Sequence, residues 1–143
     1  METELAELRK PYRMEPMSEY AGTQLAVAID NCPEVIDRSR AFGVRVSVEN
    51  NGYDKVSSYS PYPVHLTYRW LDPENQAHLI DEGARSVLKP PLGPGDRRAY
   101  NVHTIAPDRP GRYLLRITLV QEGVMWLDYI AVPVKAETVV TVV

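Results

Sequence analysis

The residues of this 143-residue chain that could do chemistry are three histidines, one cysteine and a few close-set acids. His65, His78 and His103 could hold a metal if three strands brought them together. No two of them have the i, i+4 spacing of a helical zinc motif, and no H-E-x-x-H occurs, so separate surface histidines are expected. Cys32 beside a histidine would make a nucleophile pair. It precedes Pro33 with no protease-like signature around it, so an inert, buried thiol is expected. Asp81-Glu82 and Glu122 with Asp128 offer carboxylate pairs of the glycosidase kind, which require a cleft and a fixed separation. With 19 acidic residues such pairs also arise by chance. The G-P-G-D run at 93–96 has proline where a phosphate-binding loop needs a donating amide. The expectation is a protein without catalysis, cofactor or metal.

The elements that must position these residues are short and punctuated. The 12 prolines fall mostly between apolar runs, which favours strands and turns over helices. Residues 23–29 read as a first strand and 30–39 as a turn-rich connection. In 41–50, Val44, Val46 and Val48 alternate with Arg45, Ser47 and Glu49, the period of a strand with one buried face. In 63–71, Val64, Leu66, Tyr68 and Trp70 share one face; His65, Thr67 and Arg69 share the other. Residues 77–83 and 85–92 form shorter runs. After the break at 93–96, strands are expected over 97–105 and from Tyr113, with Tyr113, Leu115, Ile117 and Leu119 on one side. A turn at Glu122-Gly123 leads to a further strand over 124–134, and 137–143 closes the chain with a β-branched run. Residues 1–18 read as a linker or the tail of an upstream segment, because Pro11 ends any helix that Leu5 and Leu8 begin. Residues 19–143 then form one domain.

The sum is all-β: an immunoglobulin-like antiparallel β-sandwich of about seven to eight strands. Two features narrow it to that class. Trp70 closes a central alternating strand, and Tyr113 follows Gly111 where a tyrosine corner returns its hydroxyl to the upstream backbone. With one cysteine, packing must replace the inter-sheet disulfide of antibody domains. Formal net charge is −3, and basic residues are interleaved with acids, which excludes the basic stripe of a nucleic-acid binder. No run is long enough for a membrane span, and no signal-peptide core precedes the domain, so membrane insertion is not expected and the chain reads as cytoplasmic.

The stretches "YPVHLTYRWLD", "LGPGD" and "APDRPGRYLLRITLVQEGVMWLD" resemble an Ig-like domain of bacterial proteins that assemble cell-surface polysaccharide. The resemblance spans about residues 44–134, with Leu127 where the family pattern favours phenylalanine. In architecture the chain is also similar to the carbohydrate-binding C-terminal domain of O-antigen ABC exporters. The resemblance implies a non-catalytic accessory module near glycan chemistry, fused in that family to methyltransferases and glycosyltransferases. It carries over no ligand residues.

Parity supplies the candidate site instead. If Trp70 and Tyr113 point inward, the opposite face presents His65, Thr67, Arg69, Arg116 and Thr118. Tyr129 joins them if Ile130, Val132 and Val134 face the core. Hydrogen-bonding side chains beside one aromatic ring suit an oligosaccharide or polysaccharide. Tyr53 and Tyr59 lie in a Ser/Pro/Gly-rich loop, and loop tyrosines present large amphipathic surfaces at low entropic cost. Tyr62, between two prolines, is expected to pack. The second reading is a protein-interaction module, a homodimer through the β-branched C-terminal strand.

Overall fold

The computed structural model describes residues 13–80 and 83–143. In chain order the elements are β1 (Arg13–Met14), α1 (Glu19–Thr23), β2 (Leu25–Asn31), β3 (Val35–Ile36), β4 (Ala41–Asn50), β5 (Tyr59–Pro61) and β6 (Val64–Leu71). Then follow β7 (His78–Ile80), β8 (Ser86–Val87), β9 (Arg97–Ile105), β10 (Gly111–Gln121), β11 (Met125–Trp126) and β12 (Lys135–Val142). Among the described residues, one sheet has the order β2-β4-β9. The other has the order β3-β12-β10-β6-β7, with β11 beside β10 and β8 beside β6. A small parallel ribbon joins β1 to β5. This is the Ig-like sandwich that the alternation predicts, with more short strands than the seven or eight expected.

The two sheets face each other through the residues that alternation selects. Val44, Val46 and Val48 of β4 meet Leu66, Tyr68 and Trp70 of β6 and Leu115, Ile117 and Leu119 of β10 in one buried cluster. Trp70 alone, fully buried, removes enough apolar area to contribute about 4–6 kcal/mol of transfer free energy. Its indole N–H donates to the carbonyl of Ile105 at 2.9 Å, and the Ile105 N–H donates to the Tyr68 hydroxyl at 3.1 Å. Ile105 belongs to the opposite sheet, so both aromatic residues of β6 hold one residue of β9. Each such bond contributes about 1 kcal/mol, so apolar packing carries most of what a disulfide would supply.

The corner at Tyr113 forms as expected. Gly111 has φ +154°, a value side-chain-bearing residues rarely take, and the Tyr113 hydroxyl donates to the Arg109 carbonyl at 2.7 Å. The Tyr113 ring meets Trp70 edge-on, centroids 6.0 Å apart. Gly123, at φ +75°, closes the turn between β10 and β11.

Two readings need correction. Residues 124–134 are not one strand. After Met125–Trp126 the chain turns, the Tyr129 N–H donating to the Trp126 carbonyl at 3.1 Å. As a result Leu127, Ile130 and Val134 are buried, whereas Val132 is 63% exposed. Residues 13–18, read as part of a linker, pack on the body. Met14 joins the core, and the buried Gln121 amide holds the segment. That amide donates to the carbonyls of Glu15 at 2.8 Å and Tyr62 at 3.0 Å and accepts from the Met17 N–H at 2.9 Å. The helical spacing at Leu5 and Leu8, and the acids Asp81 and Glu82, lie outside the described residues. Strand β12 is paired to β10 along its whole length, and β3 pairs its far edge at Thr141 and Val142.

Candidate functional site

The antiparallel register sets the outer face of the larger sheet. Arg116 of β10 stands opposite Arg69 of β6, Thr118 opposite Thr67, and Val120 opposite His65. Glu137 of β12 flanks Arg116 on the other side. Parity therefore places the predicted residues together on one face, as alternation requires.

That face is not open. Thr67, Arg69, Arg116 and Thr118 are all buried, which corrects the expectation of a solvated, ligand-facing surface. Two arginines directly opposite one another repel, and the arrangement is stabilised by Asp128. Its carboxylate accepts from Arg69 through Nε at 2.7 Å and Nη2 at 3.1 Å, and from Arg116 Nη1 at 3.4 Å. Glu137 accepts from Arg116 Nε at 2.9 Å and pairs with Lys135 at 3.4 Å. Thr118 donates to the Val134 carbonyl at 2.7 Å, and Thr67 shares its hydroxyl between the carbonyls of Gly83 and Ala84.

Aromatic and guanidinium planes close over this layer. The Arg69 guanidinium lies 4.2 Å from the Trp126 ring centre and 4.5 Å from that of Tyr129. Arg85 covers Trp126 at 4.8 Å, and Tyr129 stacks on His78 with planes 6° apart. The contact of the buried Arg69 with Trp126 is of the desolvated kind, worth up to about 2 kcal/mol, whereas those made by the exposed Tyr129 ring are worth less. His65 is half-buried against Glu122, its Nδ1 at 3.1 Å from the carboxylate. Of the six predicted residues on this face, Tyr129 alone is well exposed, at 58%.

Of the acids proposed as glycosidase pairs, Glu122 and Asp128 are committed elsewhere. Burial raises the Glu122 carboxyl, but hydrogen bonds and charge from Arg85 and His65 more than offset it, leaving the group below its ordinary 4.5. A general acid needs a shift in the other direction. Burial pushes the Cys32 thiol up to about 11, away from nucleophilic chemistry. Among the described residues, no three His, Cys, Asp or Glu side chains gather as metal ligands.

An accessible concavity lies at one end of the sandwich. A groove of about 770 Å³ runs between the segment Arg13–Gln24 and the loop after β4. Tyr53, 94% exposed, and Tyr20, 71% exposed, both line it, together with Gln24 and the buried Asn50. Asn50 builds the loop wall. Buried, it donates to the carbonyls of Asp54 at 2.8 Å and Leu92 at 3.2 Å and accepts from the Gly52 N–H at 2.9 Å. The other wall starts at Ser18, whose side chain caps α1 by accepting from the Ala21 N–H at 3.1 Å. Glu19 accepts from the Ala131 N–H at 2.6 Å, and Gly22 packs against Met125, Leu127 and Ile130. Tyr59 is 36% exposed on β5 and does not line the groove; Tyr62 is half-buried, as its flanking prolines suggest. Sequence reasoning missed Tyr20 and Gln121. The signal for Tyr20 was the capping serine two residues before it, hidden by the linker reading.

No protein-family model matches the chain, and neither does any curated protein sequence. Solved structures define the class as an Ig-like β-sandwich similar to CARDB domains. The solution structure of a CARDB domain from Pyrococcus furiosus is 20% identical, with TM-score 0.50, covering 84% of this chain and 94% of that one. The crystal structure of the same domain, solved with di-metal ions, is 21% identical, with TM-score 0.51 and coverage of 82% and 91%. A β-glucosidase from Listeria innocua is 10% identical with TM-score 0.52 over 82% of this chain, which corresponds to only 16% of that enzyme. These likenesses carry the fold. Among the described residues no helix is long and apolar enough to cross a membrane.

Proposed function

We propose that this chain is a non-catalytic carbohydrate-binding module linked to the assembly or export of bacterial surface polysaccharide. The observation that carries the reading is the end groove, where the exposed rings of Tyr20 and Tyr53 stand beside amide and hydroxyl groups. Aromatic faces suit the C–H side of a pyranose, and fixed polar groups suit its hydroxyls. The resemblance of residues 44–134 to the Ig-like domain of polysaccharide-assembly proteins supports the pathway. The engagement of Glu122 and Asp128 by guanidinium groups supports a binding role over hydrolysis.

This reading moves the site from the outer sheet face to the end of the sandwich, retaining Tyr53 from the original candidates. The test is an amide NMR titration of the labelled protein with oligosaccharide fragments of its host's surface polysaccharide. Shifts clustered on residues 13–24 and 50–56 support the reading. A spectrum unmoved at millimolar fragment concentration overturns it.

A further inference from the structure

We infer that the end groove takes a short, uncharged oligosaccharide stretch held between Tyr20 and Tyr53, and discriminates against acidic glycans; this rests on the glycan reading above. The argument is electrostatic. Among the described residues, four charged side chains line the groove: Arg13, Lys55, Glu15 and Asp54. Their formal charges cancel, and the Arg13 guanidinium is already paired with Glu15 at 3.0 Å. Recognition of a carboxylate or phosphate needs an excess of positive charge, usually a guanidinium free to make a bidentate contact. An acidic sugar entering here would lose hydration and meet Glu15 and Asp54 as readily as a cation. A neutral sugar faces no such penalty.

The remaining lining fits the same ligand. Met14, Met17 and Val56 give an apolar floor, while Gln24 offers an amide that both donates and accepts. The volume lies within the roughly 300–1,000 Å³ of small-ligand sites, so a few sugar rings fit and the rest of a polymer stays outside.

The experiment is a calorimetric panel on the full chain. It pairs neutral oligosaccharides of three to six units with uronic-acid oligosaccharides of equal length, at two salt concentrations. The expected result is binding by neutral members only, with affinity unchanged between about 0.05 and 0.5 M NaCl, because no screened charge pair contributes. Tyr20→Ala and Tyr53→Ala should each weaken binding about tenfold, and Tyr129→Ala should leave it unchanged. Acidic members binding in a Tyr53-dependent, salt-sensitive way would leave the glycan reading standing and overturn this inference. Failure of every member, neutral and acidic alike, would remove the glycan reading itself and the inference with it.

Discussion

Replacing Asp128 by asparagine tests whether the arginine layer is as dry as it looks. Asp128 is fully buried, and the Arg69 side chain it holds is 3% exposed. Asparagine preserves the volume and one acceptor oxygen but removes the charge. Arg69 then keeps its stacking on Trp126 and Tyr129 and loses its ion pair with Asp128, while Arg116 retains Glu137. Removing one partner of a buried pair typically costs about 3–5 kcal/mol, because the other charge stays desolvated. Against a total stability of about 5–15 kcal/mol, that is a large fraction. With a urea slope near 2 kcal/mol/M, the unfolding midpoint should fall by about 1.5–2.5 M. Urea unfolding followed by tryptophan fluorescence reads it. Pairing Arg69→Leu with Asp128→Leu removes both charges of this pair together, so this double variant should recover part of the loss. A single-variant shift below about 0.5 M, or a double variant worse than the sum of its singles, would show that water reaches the layer and that the ion pair is not what holds it.

Two further outcomes follow from other parts of the molecule. Gln121→Leu removes all three hydrogen bonds between the Gln121 amide and Glu15, Met17 and Tyr62. Residues 13–18 should then become cleavable by protease while the sandwich loses only about 1–3 kcal/mol, and the proposed glycan affinity should fall because one groove wall is released; intact residues 13–18 after digestion would refute the anchoring role of Gln121. Cys32 should alkylate about 100-fold more slowly in the native protein than in urea at pH 8, since raising a thiol from 9.0 to about 11 cuts its thiolate fraction by that factor. The sign follows from the same shift. The thiol is protonated in both states at neutral pH, so its contribution to stability is intact there and declines only as pH rises above 9 toward 11. Equal alkylation rates in the two states would contradict the burial.

Much of the fold was legible because period-two alternation records which side of a strand is apolar. Strand β4 falls on 41–50 and β9 on 97–105, as alternation and flanking turns indicate. Trp70 and Tyr113 take their expected places for a geometric reason: each carries a polar tip that reaches a backbone group from a fixed position. The stretch 124–134 misled because its apolar content resembles a strand, whereas the Trp126–Tyr129 turn changes its parity partway. The N-terminal segment misled because charge and proline suggested a linker. Its anchor, Gln121, lies more than 100 residues away, and no local pattern encodes such a contact.

The candidate site shows where alternation stops being informative. It assigned His65, Thr67, Arg69, Arg116 and Thr118 to one face correctly, and polar character suggested water. Polarity fixes only that a side chain needs partners, and here the partners are internal. Register makes this intelligible. Arg69 opposite Arg116 is an unfavourable cross-strand pair on an open sheet, and two such residues aligned across β6 and β10 call for an acid above them. Asp128 provides it, placed by the turn that ends β11, and the neighbouring Trp126 and Tyr129 rings cover the guanidinium planes. The same turn sends Ile130 against Gly22, so the segment that seals the outer face also supports the wall of the end groove. Closing the face leaves Tyr20 and Tyr53, at the end of the sandwich, as the accessible rings on which the proposed glycan contact rests.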